Sequence, residues 1–106
     1  MANAYKNLGQ GNPGATLTVL YTVPNPGEAI GTLVVGNIAA AAKTFRVAFS
    51  IAGAAIANDH YLRYDFSVPA NDSVDVKHIS MAATDVLRVY GEDTNVTFNF
   101  MGVEIT

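Results

Sequence analysis

Ala29-Ile30-Gly31-Thr32-Leu33-Val34-Val35-Gly36-Asn37-Ile38-Ala39 is the segment on which the fold turns. Rich in valine and isoleucine and set between breakers, it reads as a β-strand. In a strand alternate side chains point to opposite faces, so a strand with one buried face alternates apolar with polar residues. This one does not. Ala29, Leu33 and Val35 fall on one face, while Ile30, Val34 and Ile38 fall on the other. The last segment behaves similarly. Val96, Phe98 and Phe100 oppose Asn95, Thr97 and Asn99, and then Met101, Val103 and Ile105 turn the polar face apolar. Leu20 adds a third case among the threonines of Ala15 to Val23. A small two-layer domain has no second core to absorb such surface, so it is expected to meet a partner.

Outward from that strand the breakers recur at short intervals: Gly9, Gly11 and Pro13-Gly14; Pro24 and Pro26-Gly27; Gly53; Asn58-Asp59; Pro69 to Asp72; Gly91 to Asp93. The segments between them are rich in Val, Ile, Thr, Phe and Tyr, the signature of an all-β chain. Strands are expected over 15–23, 29–38, 43–51, 60–67, 73–79, 85–90 and 95–105. Seven or eight such strands in one antiparallel β-sandwich, of Greek-key or jelly-roll type, account for them, with residues 1–14 as an N-terminal arm and 15–106 as the domain. The spacing does not separate the two strand orders. Within 43–51, Phe45, Val47, Phe49 and Ile51 are expected inward against Thr44, Arg46, Ala48 and Ser50; in 85–90, Leu87 and Val89 are the core pair. Tyr21-Thr22-Val23-Pro24 and Phe66-Ser67-Val68-Pro69 repeat one pattern, each ending a strand where proline removes the ladder donor.

The alanines at 39–42 and 52–57 suit either a short helical turn or a smooth loop of small residues, and neither run suffices for a helix on its own. As a loop they would let another subunit approach closely without ordering long side chains.

Composition bounds the function. The chain has 106 residues, enough for one core, and its 50% hydrophobic and 14% charged content is oily against a usual charged fraction of about 25%. The net charge is −3, and Lys6, Lys43, Arg46, Arg63, Lys77 and Arg88 are scattered along the chain. Nucleic-acid binding needs clustered cations to release counterions, so that class is not expected. There is no cysteine, which removes disulfides and thiolate chemistry together. The opening residues lack the apolar core of a secretory signal and no run approaches a membrane span of about 18 residues, so a product made and used without export is expected.

Catalytic groups do not converge. His60 and His78 are the only imidazoles, and neither lies at ligand spacing from a second donor. Asp59 beside His60 would point to the opposite face of a straight strand. No nucleophile elbow surrounds a serine and no phosphate loop is present, so neither an enzyme nor a cofactor is expected. Asp72 with Asp75, or Glu92 and Asp93 with Asn95, form acidic turns without the spacing of a calcium loop. Asn71-Asp72-Ser73 and Asn95-Val96-Thr97 match the glycosylation sequon, which is idle without export. Arg88 would need a carboxylate or several carbonyls if its face is covered, with Asp65 and Glu104 as candidate carboxylates; uncovered, it would lie over Tyr90 or Tyr64. His60-Tyr61-Leu62-Arg63-Tyr64-Asp65-Phe66 supplies aromatic and arginine anchors suited to an interface or to one end of the sandwich.

From residue 17 to 106 the order Leu20-Tyr21-Thr22-Val23-Pro24, Gly31 to Asn37, Thr44-Phe45-Arg46-Val47-Ala48, His60 to Asp65, Pro69-Ala70-Asn71-Asp72-Ser73, Asp85 to Tyr90 and Asn95 to Asn99 resembles small structural proteins of tailed bacteriophages. Asn25-Pro26-Gly27 departs from the usual turn of that pattern, and the resemblance carries no functional residue over. It implies a virion component. The expectation is a capsid decoration, or cement, protein on the capsid surface, made in the host cytoplasm, a homo-oligomer (dimer or trimer) docked on the major capsid protein or another virion protein, with no nucleic acid or membrane partner. Its contact residues are expected to be Leu20, Val34, Ile38, Met101, Val103 and Ile105, with Tyr5 and Leu8 as a tether. The alternatives are a tail, neck or fibre component, and a carbohydrate-binding module using Tyr61, Tyr64, Asp59 and Asp65.

Overall fold

The computed structural model describes the backbone of residues 3–106 and the side chains from residue 5 onward. Eight antiparallel strands follow in order: β1 (Asn3–Gly11), β2 (Thr18–Thr22), β3 (Glu28–Asn37), β4 (Lys43–Ser50), β5 (Tyr61–Val68), β6 (Ser73–Ala82), β7 (Val86–Gly91) and β8 (Val96–Ile105). They form two four-stranded sheets, β1-β8-β3-β6 and β2-β7-β4-β5. In this order consecutive strands alternate between the sheets except at the β4–β5 hairpin, and the last strands slot beside the first, which is the double Greek key of a jelly roll. The strand order that the spacing left open is thereby settled.

Residues 3–11 are not a free arm. They pair with β8 along its length, from Asn3 opposite Ile105 to Gly11 opposite Phe98, with a bulge at Leu8. The arm expectation for 1–14 is corrected to an edge strand for residues 3–11; residues 1 and 2 lie outside the described residues. The backbone donors of β8 would otherwise face water on that side, and β1 satisfies them.

The core is built from the inner faces of both sheets. Leu33, Val35, Phe98 and Phe100 from the first sheet meet Phe45, Val47, Leu87 and Val89 from the second, all essentially inaccessible to solvent. Phe45 and Phe98 meet edge to face with ring centroids 6.3 Å apart. Leu87 and Val89 are core, as the alternation requires. The two Val-Pro pairs close β2 and β5, the two edges of the second sheet, and Val23 and Val68 are both buried.

The expected inward run holds through Phe49, which stands opposite Leu87 and packs on the core although part-buried, and fails at Ile51, which lies past the strand and is exposed. Ala48 and Ser50, expected outside, are fully buried. The alanine loop is the reason. Residues 51–60 form two 3-10 turns, Ile51–Gly53 and Asn58–His60, and fold back over the outer face of β4 and β7. There Arg88 donates from Nη1 to Ser50 Oγ at 2.6 Å and reaches the Ala54 carbonyl at 3.5 Å. Its partners are therefore a hydroxyl and a carbonyl rather than Asp65 or Glu104, and it does not lie over Tyr64 or Tyr90.

Two buried polar residues pin the loops. The Asn37 amide donates to the carbonyls of Ala41, Val68 and Pro69 and its Oδ1 accepts from Ala39 N–H at 2.9 Å, tying the β3–β4 turn to the β5–β6 turn. At the opposite end the Asp85 carboxylate accepts from Ala52 N–H and Ala82 N–H, each at 2.9 Å. No buried side-chain polar atom among the described residues is left without a partner.

Candidate interaction surface

Among the described residues no other element covers the outer face of the sheet β1-β8-β3-β6, and the strand register sets its pattern. Tyr5 stands opposite Val103, Val103 opposite Ile30, and Ile30 opposite Ser80, giving one row across all four strands. The row on one side reads Asn7, Met101, Thr32; on the other it reads Asn3, Ile105, Glu28, Ala82. One row beyond Met101 come Gln10, Asn99, Val34 and Asp75. Tyr5, Val103, Ile30, Met101 and Ile105 thus form one apolar strip over three strands, with Tyr5 82%, Ile30 43% and Met101 45% exposed. The strip is rimmed by amides: Asn7 Nδ2 and Gln10 Nε2 both donate to Asn99 Oδ1, at 3.2 and 2.8 Å. An apolar centre with a polar rim is the anatomy of a protein contact.

The structure gathers five of the eight contact residues expected from sequence, Tyr5, Val34, Met101, Val103 and Ile105, on this face. Ile38 is 67% exposed but stands past the end of β3, beyond Gly36 and Thr97, and does not join the strip. Leu8 and Leu20 are corrected: both are part-buried and packed on the core. A bulge at Leu20 breaks the alternation of β2, and a bulge at Leu8 does the same in β1. The two strands meet there so closely that a Cβ on Gly9 would stand 2.5 Å from the Leu20 carbonyl oxygen. These leucines seal the seam between the sheets. Ile30, missed as a contact although its outward face was read, is the centre of the strip.

Beneath the strip the inner face of β8 ends in a charge. Glu104 Oε1 pairs with Lys6 Nζ of β1 at 3.1 Å, and its Oε2 accepts from the Tyr21 hydroxyl of β2 at 2.6 Å. The Tyr21 hydrogen bond, followed by that of Lys6, holds the Glu104 carboxyl below its ordinary value. Burial, followed by the bond to Glu104, pushes the Tyr21 phenol well above its own. This triad fastens β1, β8 and β2 to one another. Because the folded-state value of Glu104 is depressed, its contribution is present above the ordinary glutamate range and is lost as pH falls through the depressed value. Urea midpoints measured down the acid range should therefore fall less steeply for Glu104→Gln than for the parent chain; identical slopes would remove Glu104 as the coupling group.

Beside the strip, at the β6 end, lies a hollow of about 560 Å³. Outer-face residues Ile30, Ser80 and Ile105 border it, and it runs round to Met81, Phe49 and the exposed Ile51.

The opposite outer face has different chemistry. The Arg46 guanidinium lies between the rings of Tyr64 and Tyr90, 4.2 and 4.5 Å from their centroids, and grips Asp65 through Nε at 2.6 Å and Nη2 at 3.3 Å. Asp65 is thus occupied, and Tyr61 and Tyr64 meet at 88° rather than forming a flat platform for a sugar ring. Asp59 and His60 do fall on the same side, because the chain turns there, with Nε2 and Oδ1 3.7 Å apart, while His60 Nδ1 accepts from Ala57 N–H. His78 sits in a bulge of β6, beside a hollow it shares with Arg63 and Lys77. Glu92 and Asp93 are both paired with Lys43, at 3.6 and 2.9 Å. Among the described residues no three metal-ligating side chains come together, and no helix is long and apolar enough to cross a membrane.

No family model, curated protein or solved structure matches the chain.

Proposed function

We propose that this chain is a non-enzymatic structural protein of a bacteriophage particle, a capsid decoration protein that associates with itself and docks on the shell. The observation that carries the reading is the uncovered apolar strip of Tyr5, Val103, Ile30, Met101 and Ile105 on a sheet face rimmed by amides. The phage resemblance supplies the setting, and the jelly roll, an architecture shared by viral capsid and lectin domains, is compatible with it by analogy alone. The mechanism is linkage. A protein that binds the assembled shell and not its separated subunits stabilises the shell by about 2.7 kcal/mol per site at a free concentration one hundred times its dissociation constant. Repetition over a symmetric surface and linkage within each oligomer turn a modest contact into avidity.

Quantitative mass spectrometry of purified particles, scaled to the major capsid protein, tests this reading. A near-stoichiometric copy number is expected. A handful of copies would transfer the chain to the tail, neck or fibre, and absence from the particle would overturn the virion reading altogether.

A further inference from the structure

The geometry points to a second copy of this chain as the occupant of the strip, in a two-fold dimer whose sheets pack face to face with the axis running along the strands between β8 and β3. This rests on the self-association part of the reading above and specifies how it occurs. Such an axis lays β1 over the partner's β6 and β8 over the partner's β3. The central row then becomes self-complementary: Val103 meets Ile30 in both directions, and Tyr5 meets Ser80 in both directions. An isologous contact requires this kind of reciprocity.

Three observations favour this arrangement. The first is charge. On the outer face the β1–β8 half carries no charged residue at its paired positions, whereas Glu28 and Asp75 lie on the β3–β6 half, with the exposed Lys77 in the β6 bulge between the Asp75 and Ser80 rows. The rotation sets the charged half against the neutral half, so no like charges meet; Gln10 comes opposite Asp75 with an amide to offer its carboxylate, and Glu28 comes opposite Ile105 in the end row, at the margin of the face. The second is shape. Tyr5 projects from the edge of the strip, and Ser80, the residue it would face, borders the hollow of about 560 Å³ whose apolar wall includes Ile30, Met81 and Phe49. Each copy holds one projecting ring and one hollow, at opposite ends of a single four-strand row. The third is size. Four strands about 4.8 Å apart and about ten residues long at 3.3 Å each give a face of roughly 600 Å² before side-chain relief is counted. That is on the scale of the roughly 800 Å² per partner buried in a standard stable interface.

The chain has no cysteine, so each introduced thiol is unique. Gln10→Cys and Asp75→Cys leave Tyr5, the strip and the hollow intact, and are mixed as separate proteins with a short bis-maleimide. The expected result is a cross-linked dimer in the mixture at least ten-fold more abundant than with either variant alone. Tyr5→Cys mixed with Ser80→Cys should repeat it. Self-linking of Gln10→Cys at a rate equal to that of the mixture would place β1 over β1 and overturn the axis. Sedimentation of the unmodified chain as a monomer or a trimer would overturn the dimer, while the particle copy number would still report separately on shell docking.

Discussion

Ile30→Asp should give a folded monomer that neither associates nor decorates particles. Ile30 faces outward at the centre of the apolar strip, so the core loses nothing, and thermal unfolding of the isolated domain should move by no more than a few degrees. Association is another matter. A carboxylate carried into an apolar contact without a partner costs several kcal/mol, and a two-fold interface suffers the change twice. At about 1.4 kcal/mol for each factor of ten, even about 3 kcal/mol per site weakens the dimer roughly ten-thousand-fold. Val103→Asp, on the strand that meets Ile30, should behave alike. Sedimentation and circular dichroism read the two effects apart: a dimer that survives both substitutions would remove this face from the interface, and an unfolded Ile30→Asp chain would move that residue into the core.

Gly102→Ala should do the reverse, crippling the fold from a position that contributes no side chain. Gly102 lies opposite Gly31, and a Cβ at 102 would fall within the radius of the Ile30 carbonyl oxygen and against the Gly31 backbone. Those are main-chain atoms of a central strand pair, unable to turn aside as a flexible side chain would, so relief requires the pair to separate. A cost upward of about 3 kcal/mol is expected, out of the 5–15 kcal/mol that holds an ordinary domain. In a domain of this size that corresponds to a fall of more than about 12 °C in Tm. Gly11→Ala is the control, since its Cβ would meet only Leu20 Cδ1 at 3.9 Å, an ordinary contact. Equal melting temperatures for the two variants would refute the steric argument.

Much of this architecture was legible because alternation is a local code. Leu33, Val35, Phe98 and Phe100 declared the inner face of the first sheet, and their neighbours Ile30, Val34, Met101 and Val103 declared an outer face too apolar for water. Strand bounds followed from the turn residues within a few positions. What escaped was whatever depends on a distant segment. Asn3 to Gly11 shows little alternation of its own and becomes a strand only because β8 offers it an edge. Leu8 and Leu20 were misread because bulges shift the side on which a residue emerges, and a bulge leaves no mark in composition. Ala48 and Ser50 are covered by a loop whose path the alanines do not specify, and Asp65 went to Arg46 rather than Arg88 through a pairing nineteen residues apart. The gathering of the strip belongs to the same class, since nothing local announces that Tyr5 and Ile30 share a row.

The strand order also governs when the protein can exist during its synthesis. β8, made after the other seven strands, lies between β1 and β3, so the first sheet cannot join its halves until Val96 to Ile105 has left the ribosome. Until then β1 has no neighbour, and the inner faces of β3 and β6 lack Phe98 and Phe100. A fold that closes first strand against last assembles slowly, because the longest loops must close before their contacts repay them. The nascent chain therefore carries its apolar strip through translation in fragments, and the adhesive face comes into being only with the finished domain.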